Sequence, residues 1–206
     1  MDKRDQNTIK RGENKMNDIQ EKITEICIKI AKRNEGALII LGDLNKDFYT
    51  PLVEQTINSF NIRNNLKLFE SLALMDGAVL VRVNGELYAY GVSIKSNQIL
   101  KDFGTRHSAG ISASLKGAKA FVVSEEDKKI RVFDKGKMVM QIDALQKGIE
   151  KNIPEALLIF ESIGVGAVGT IGFGALIPTI GITLIPGIIF FGGSYWLFNK
   201  LRGLEI

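Results

Sequence analysis

The sequence predicts a domain of mixed helices and strands, of the α/β or α+β class, followed by a membrane hairpin of two helices. Two observations lead to this prediction. Between residues 16 and 150, segments with helical periodicity alternate with short apolar runs of strand length. After them, no Asp, Glu, Lys or Arg occurs from Ser162 to Asn199.

The composition is that of a globular protein, with 45% hydrophobic and 24% charged residues among 206. Lys and Arg number 27 against 23 acidic residues. This mild excess does not indicate a nucleic-acid partner, because no basic face with interleaved aromatic residues accompanies it. The single cysteine, Cys27, excludes an internal disulfide and a cysteine-based zinc site. Since the N-terminus does not read as a signal peptide, we expect the domain to lie in the cytoplasm.

The N-terminal region is predicted to change from a tail to a helix near residue 16. Residues 1–15 are predicted to form a disordered polar tail, because Ile9 is their only large aliphatic residue. The globular domain is predicted to span residues 16–150. Its first helix carries an apolar stripe formed by Ile19, Ile23, Ile26, Cys27 and Ile30. Cys27 is therefore interpreted as a core residue, and Gly36 is expected to end the helix.

The other elements of the domain follow from short apolar runs separated by turn residues. Strands are predicted over Ala37–Leu41, Ala78–Val83, Leu87–Val92, Ala120–Val123, Lys129–Phe133 and Met138–Ile142. The pairs Asn84-Gly85 and Lys135-Gly136 are typical of tight turns and predict two hairpins. Between the first two strands, residues Pro51–Phe69 are predicted to be helical.

The charge-free segment is too long for one membrane span and predicts two, over 156–176 and 180–199. The hairpin is assigned to residues 153–200 and a short cytoplasmic tail to 201–206. Basic residues flank the segment on both sides, so the positive-inside tendency places both ends in the cytoplasm and the protein in the cell membrane. Closely spaced glycines from Gly164 onward would let the two helices pack tightly. The alternative is a glycine-rich hairpin buried in a soluble core.

Three polar segments interrupt the apolar strands and are candidates for chemistry. Asp76-Gly77-Ala78 puts a carboxylate at the start of a strand. The run from Gly104 to Gly110 combines a hydroxyl, a guanidinium and the only imidazole of the chain, which suits phosphate. Ser124-Glu125-Glu126 ends a strand with carboxylates, which divalent cations favour. Each segment alone is compatible with a turn or a solvated strand end, but together they are typical of phosphoryl or nucleotidyl transfer.

With Gly36-Ala37-Leu38-Ile39-Ile40 ahead of them, these segments resemble the diadenylate cyclase (DAC) domain family over roughly residues 20–142. The shared motifs are Asp-Gly-Ala and Gly-Thr-Arg-His. The resemblance implies a mixed sheet surrounded by helices. It also implies an enzyme that condenses two ATP into cyclic di-AMP and releases two pyrophosphates. Each protomer would hold one ATP, and the active site would be complete only where two protomers of a homodimer or higher homo-oligomer meet face to face.

The same resemblance implies roles for individual residues. Asp76 would activate the ribose 3′-hydroxyl, directly or through a metal, and would be catalytic together with Arg106 and His107. Glu126 and Asp76 would bind Mg²⁺ or Mn²⁺. The residues implied for ATP binding are Gly77, Ile94, Thr105, Arg106, His107 and Ser124. Gly77 would let the nucleotide lie against the strand, and Ile94 would lie near the adenine.

The chain departs from the family pattern at two points. The family motif usually reads Arg-His-Arg, and Ser108 stands here at the third position, so one charge-assisted phosphate contact is lost unless Lys101 or Lys116 replaces it. Family anchors commonly precede the domain, whereas the apolar segment follows it here. Two alternatives stay open. One is a DAC-like nucleotide sensor without turnover whose hairpin acts on the membrane, and the other is an unrelated anchoring protein in which the three segments are turns.

Overall fold

The structure is a computed structural model of the chain, and it describes residues 3–95, 104–164 and 185–191. Side chains are described over 18–95, 104–158 and 185–191. Four α-helices lie in the described ranges: α1 (Lys3–Lys32), α2 (Leu66–Ala73), α3 (Thr105–Ser114) and α4 (Ile149–Gly164). Single 3₁₀ turns occupy Lys46–Phe48 and Ile62–Asn64.

Nine strands of the described residues form one mixed sheet. They are β1 (Ala37–Leu41), β2 (Tyr49–Pro51), β3 (Phe60–Asn61), β4 (Ala78–Val81), β5 (Glu86–Ile94), β6 (Lys119–Val123), β7 (Lys129–Asp134), β8 (Lys137–Asp143) and β9 (Ile188–Phe190). Their order across the sheet is β2-β5-β4-β1-β6-β7-β8-β9, and β3 also pairs with β5. Strands β1 and β4 are parallel, and the other pairs are antiparallel.

Helices cover both faces of this sheet, which explains why β1 is an uninterrupted apolar run. In β1, Ile39 packs into the larger core with residues of α1, α2 and α4, whereas Leu38 and Ile40 pack into a second core with Ala113 of α3. A strand alternates its side chains between two faces, so burial on both requires apolar residues throughout. The prediction of a mixed sheet surrounded by helices is confirmed.

The strand predictions agree closely with the structure because each depends on local apolar runs and turn residues. Strand β1 has the predicted bounds, and the two hairpins turn at Gly85 and Gly136, both with positive φ. Differences are limited to the ends, where β5 extends to Ile94 and β4 stops at Val81.

The beginning and end of α1 differ from the prediction. The helix begins at Lys3, so residues 3–15, expected to be a disordered tail, form its first turns. A polar sequence can extend an existing helix because propagation costs far less than nucleation. At its other end α1 stops at Lys32, and Asn34, not Gly36, takes the left-handed conformation with φ 61°. The amides of Asn34 and Glu35 donate to the Ala31 and Ile30 carbonyls, which is a Schellman cap.

The predicted helix over Pro51–Phe69 is wrong. This stretch instead runs along the edge of β5, and only residues from Leu66 onward are helical. Between β2 and β3, the Gln55 side chain takes the place of a backbone partner: its amide nitrogen donates to the Tyr90 carbonyl at 2.7 Å, and its oxygen accepts from the Tyr90 amide at 3.1 Å. The Tyr90 hydroxyl accepts from the Ile57 amide at 3.1 Å. These long-range bonds outweigh a weak helical pattern.

The predicted second arm of the membrane hairpin, 180–199, is corrected where the structure describes it. Residues Ile188–Phe190 are strand β9, which pairs antiparallel with β8 through Met140–Ile142. The β-branched residues of this stretch suit a sheet edge as well as a lipid-facing helix. The remainder of that arm and most of the first arm, 156–176, lie outside the described residues. Among the helices of the described ranges, none combines the length and the apolar character needed to cross a bilayer.

Because β9 pairs with β8, we expect Ile188 to stabilise the domain. Its side chain is fully buried, so Ile188→Ala should lower the free energy of unfolding by about 2–5 kcal/mol. The matched control is Leu145→Ala, since Leu145 is 65% exposed and its truncation should change that energy by less than about 0.5 kcal/mol. Urea denaturation followed by circular dichroism measures both. Equal midpoints for the two variants would contradict the placement of β9 in the sheet.

Candidate active site

The sheet topology brings two of the three polar segments, Asp76-Gly77 and the turn after β6, to one edge. Strand β1 runs parallel to β4, with Ile39 opposite Val79, and antiparallel to β6, with Ala37 opposite Val123. The starts of β1 and β4 therefore lie beside the end of β6. Adjacent strands are about 4.8 Å apart. We call this side, formed by Gly36, Asp76-Gly77 and residues 124–127, the polar edge.

Asp76 lies at the polar edge with its side chain exposed, and its carboxylate accepts a 3.0 Å hydrogen bond from the Gly77 amide. Gly77 has φ +95°, and a Cβ there would lie 2.7 Å from the Val92 carbonyl oxygen and 2.8 Å from the Val92 amide nitrogen. The glycine therefore serves close packing of the strand start against β5. Strand β5 fills the Cβ side of Gly77, and the expectation that Gly77 lets a nucleotide lie against the strand stays a prediction.

Helix α3 begins in the segment from Gly104 to Gly110, which is the candidate for phosphate binding. Gly104 is its N-terminal cap and Thr105, which is exposed, its first residue. No side chain caps the helix, and the first-turn amides of any helix point away from its body, which favours an anion there. The next residue, Arg106, makes a 3.7 Å ion pair with the exposed Glu125 carboxylate. Such an exposed pair contributes little energy, so a phosphate could displace it.

Gly36 provides the space that Arg106 occupies. A Cβ on Gly36 would lie 2.4 Å from Arg106 Nη1 and 3.1 Å from its Cζ. The guanidinium therefore lies across the start of β1, between α3 and the end of β6. The sequence placed Gly36 at a helix end, and only its contact with Arg106 reveals this second reason for a glycine.

Gly36→Ala should consequently displace the Arg106 guanidinium while leaving the fold intact. The clash is with the end of a flexible side chain, so we expect a fall in the unfolding temperature of less than about 4 °C, which corresponds to about 1 kcal/mol in a chain of this size. Loss of a charge-assisted contact should weaken ATP binding by about 10-fold, or about 1.4 kcal/mol. Calorimetric titration with a non-hydrolysable ATP analogue measures this. Unchanged affinity would remove Arg106 from the binding site.

His107 is half-buried between α3 and β7. Its Nε2 lies 3.3 Å from Arg131 Nη1, and its ring meets the Phe133 ring edge-on at 6.2 Å and 88°. Burial lowers the pKa of His107, the Arg131 guanidinium lowers it further, and Asp127 acts in the opposite direction. Sequence reasoning missed Asp127 and Arg131. A signal was present, since Arg131 interrupts the apolar residues of a predicted strand.

Ser124 and Glu126 lie in the turn that joins β6 to β7. The Ser124 amide donates to the Lys129 carbonyl at 3.0 Å, and Lys128 takes a left-handed conformation with φ 54°. The Lys128 ammonium donates to the carbonyls of Glu125 and Glu126 at 2.7 and 3.4 Å. The side chain of Glu126 is exposed. These contacts are with backbone carbonyls, and a role of the Glu126 carboxylate in metal binding stays a prediction.

Ile94 ends β5 at the same side of the sheet. Its side chain is 7% exposed and belongs to the second core, and it pairs with Tyr49 of β2. The apolar side chain is thus used in packing, and a contact of its backbone with adenine stays a prediction.

Lys116 does not lie near the start of α3. It follows the C-terminal end of this ten-residue helix, about 15 Å along the axis from Thr105, and its ammonium lies 5.4 Å from the centre of the Phe48 ring. It therefore cannot replace the charge that Ser108 lacks, and Ser108 itself is buried. Lys101, the other candidate, lies outside the described residues.

The described residues offer few donors for a metal ion. Among the described residues, no three His, Cys, Asp or Glu side chains come together as a metal site. Asp76 nevertheless offers a carboxylate that is exposed at the polar edge, and Mg²⁺ typically takes one or two protein carboxylates together with substrate phosphates. The residues thus fit a metal that arrives with a nucleotide.

A family model described as "DAC: DisA bacterial checkpoint controller nucleotide-binding" matches residues 24–138, more than half of the chain. The chain belongs to the DAC family. The match contains all the residues assigned above to the polar edge and to the start of α3. Family membership supports nucleotide binding and confirms the resemblance that the motifs indicate.

One relative and two solved structures are similar to parts of the chain. A diadenylate cyclase of Haloferax volcanii is 30% identical over 138 residues, which cover 59% of this chain and 51% of the relative. The chain therefore spans about half the length of that relative. A crystal structure described as a hypothetical membrane spanning protein from Bacillus cereus is 28% identical with a TM-score of 0.46, covering 56% of this DAC chain and 59% of its own. A crystal structure of a DacA double mutant from Staphylococcus aureus is 22% identical with a TM-score of 0.49, covering 73% and 97%.

Proposed function

We propose that the chain is a diadenylate cyclase, a nucleotidyltransferase that condenses two ATP into cyclic di-AMP. In each of two equivalent steps, the ribose 3′-oxygen of one ATP forms a bond to the α-phosphorus of the other. The bond from that phosphorus to the bridging oxygen of pyrophosphate breaks, and the hydroxyl proton leaves. The observation that supports the proposal is that, in a DAC-family sheet, Asp76 precedes β4 while the Arg106 guanidinium lies beside Gly36, which precedes the adjacent parallel strand β1.

In this proposal Asp76 accepts the 3′-hydroxyl proton, since its exposed carboxylate is held at a rigid strand start. Arg106, Thr105 and the first-turn amides of α3 bind the phosphates, and Ser124 contacts them from the end of β6. His107 binds beside Arg106. Reactions of this class depend mainly on positioning and on stabilising charge.

Asp76, with Glu126 as the second candidate, would hold Mg²⁺ or Mn²⁺ together with phosphate oxygens. The ion would neutralise charge on the pyrophosphate leaving group. Oxygen donors are the set that these hard cations prefer.

We further propose that a homodimer completes the site. A 3′-hydroxyl must reach the α-phosphorus of a second ATP, and two protomers that face each other across their polar edges would bring two bound nucleotides together. The exposure of Asp76 supports this arrangement, since a partner nucleotide must be able to reach it.

We propose that the chain is attached to the cell membrane through the apolar residues 165–184. The catalytic domain would then lie in the cytoplasm. The elements that border these residues, α4 and β9, pack against α1 and β8 in the same domain. A chain that leaves and returns to one domain must cross a bilayer twice or stay at its surface, and one crossing alone needs about 20 residues. We therefore propose attachment at the membrane surface. Flotation of the full chain with anionic vesicles tests this, and failure to float would contradict it.

The second candidate function is a nucleotide sensor without turnover. The observation that favours it is Ser108, a buried serine at a position where the family motif usually has arginine. The full chain incubated with ATP and Mn²⁺, then Mg²⁺, distinguishes the two by mass spectrometry of the products. Cyclic di-AMP with two equivalents of pyrophosphate is expected. Saturable ATP binding without product would favour the sensor. If the chain neither formed product nor bound ATP, both candidate functions would be rejected.

A further inference from the structure

Arg131 and Asp127 form an ion pair beside the proposed phosphate-binding residues. We propose that Arg131, held in place by Asp127, is a positioning residue for His107. It keeps Nε2 of the imidazole as a hydrogen-bond acceptor, so that the uncharged ring carries its proton on Nδ1. Only the neighbouring phosphate site rests on the proposed function.

The contacts define the direction of this hydrogen bond. Arg131 Nη1 lies 3.3 Å from His107 Nε2. A guanidinium has donors and no acceptor, so Nε2 must accept and cannot carry a proton. The remaining proton of a neutral imidazole is then on Nδ1.

Asp127 fixes the guanidinium from its other side. Its Oδ1 lies 3.4 Å from Arg131 Nη1, and its Oδ2 accepts from Nη2, so the carboxylate engages both terminal nitrogens. The Arg131 side chain is only 15% exposed. A half-enclosed bidentate pair is geometrically specific, which leaves the guanidinium little freedom to turn away from the imidazole.

Strand β7 presents Arg131 and Phe133 to the same face, because residues two apart in a strand share a side. The Phe133 ring lies edge-on against the imidazole at 6.2 Å. His107 is thus held by an aromatic ring and by a hydrogen bond that fixes its tautomer. Among the described residues, the charged groups that act on the imidazole are Arg131 and Asp127.

The environment agrees with an uncharged imidazole. Burial and the guanidinium both lower the pKa of His107, and Asp127 opposes them only in part. The Arg131 guanidinium thus lies next to His107. In this chain the residue that follows His107 is Ser108, where the family motif usually has arginine.

The test uses the fact that His107 is the only histidine of the chain. Its ring nitrogens give one set of signals in nitrogen-15 NMR of the full-length protein, which report tautomer and pKa without nucleotide. We expect Nδ1 to carry the proton and the pKa to lie below that of an exposed histidine. Arg131→Gln should raise this pKa by about 1, because it removes a cation and leaves Asp127 unneutralised, and Asp127→Asn should lower it.

The opposite directions distinguish positioning from loss of fold, since unfolding would move both variants to the pKa of an exposed histidine. The control is Arg82→Gln, because Arg82 is likewise ion-paired, here with Asp43 and Glu86, but lies at the other edge of the sheet. It should leave the His107 signals unchanged. A proton on Nε2 of the native protein, or equal His107 pKa values in all variants, would overturn the inference. Neither result depends on whether the chain makes cyclic di-AMP.

Discussion

Replacing Asp76 by asparagine is expected to reduce the rate of cyclic di-AMP formation by about 10²–10⁴-fold, the contribution typical of a positioned proton acceptor. Asparagine keeps the size of the side chain and can still accept the hydrogen bond from the Gly77 amide. ATP affinity measured without a divalent cation, which Asp76 would help to hold, should therefore stay within a few-fold of the native value. Product formation followed by mass spectrometry, with binding followed by calorimetry, separates the two effects.

The matched control is Asp43→Asn, which removes an exposed carboxylate at the opposite edge of the sheet, where Asp43 pairs with Arg82. Its expected activity is that of the native chain. If Asp76→Asn retained native turnover, Asp76 would not be the proton acceptor. If Asp43→Asn lost activity to the same degree, the effect would report on charge or folding in general.

Gly77→Ala is expected to destabilise the whole domain and to displace Asp76. The left-handed conformation at φ +95° costs a residue with a Cβ about 1–3 kcal/mol. The new Cβ would also lie 2.7 Å from the Val92 carbonyl, and such overpacking costs a further 1–3 kcal/mol or so. A total of about 2–6 kcal/mol should lower the unfolding temperature by about 4–24 °C, since each kcal/mol corresponds to about 2–4 °C in a chain of this size.

Gly104→Ala provides the comparison within the same region. Among the described residues, no atom lies within 4 Å of the place where its Cβ would be, and its φ of −62° is open to alanine. Its cost should stay within about 1 kcal/mol, mainly from the lower preference of alanine for a helix N-cap. Thermal unfolding by calorimetry ranks the variants. Equal stability of the two would mean that Gly77 does not pack against β5.

Local patterns predicted most of the sheet. Strand β1 needs apolar residues at every position because both of its faces are covered, and that requirement is visible in Ala37–Leu41 alone. The two hairpin turns follow from glycines at positive φ. The candidate motifs could also be identified without the structure, and the family resemblance that they indicated is confirmed by the match over residues 24–138.

Patterns failed where distant partners decide the conformation. Residues 51–65 carry apolar residues at spacings compatible with a helix, but Gln55 bonds to Tyr90 across the chain and keeps the stretch extended. The residues around Ile188 are compatible with a lipid-facing helix, yet they form strand β9, which pairs with the otherwise unpaired edge of β8. In both cases hydrogen bonds to residues far away in sequence override a local preference.

The sequence by itself therefore determined the family, the central strands and the chemical groups available for the proposed reaction. Tertiary structure alone decided that Asp76 precedes a strand adjacent to the one whose start Arg106 contacts, and that Arg131 reaches His107. These relations depend on strand order, on the parallel pairing of β1 with β4 and on register. No short stretch of sequence encodes them, because the energy of strand pairing comes from partners on separate segments of the chain.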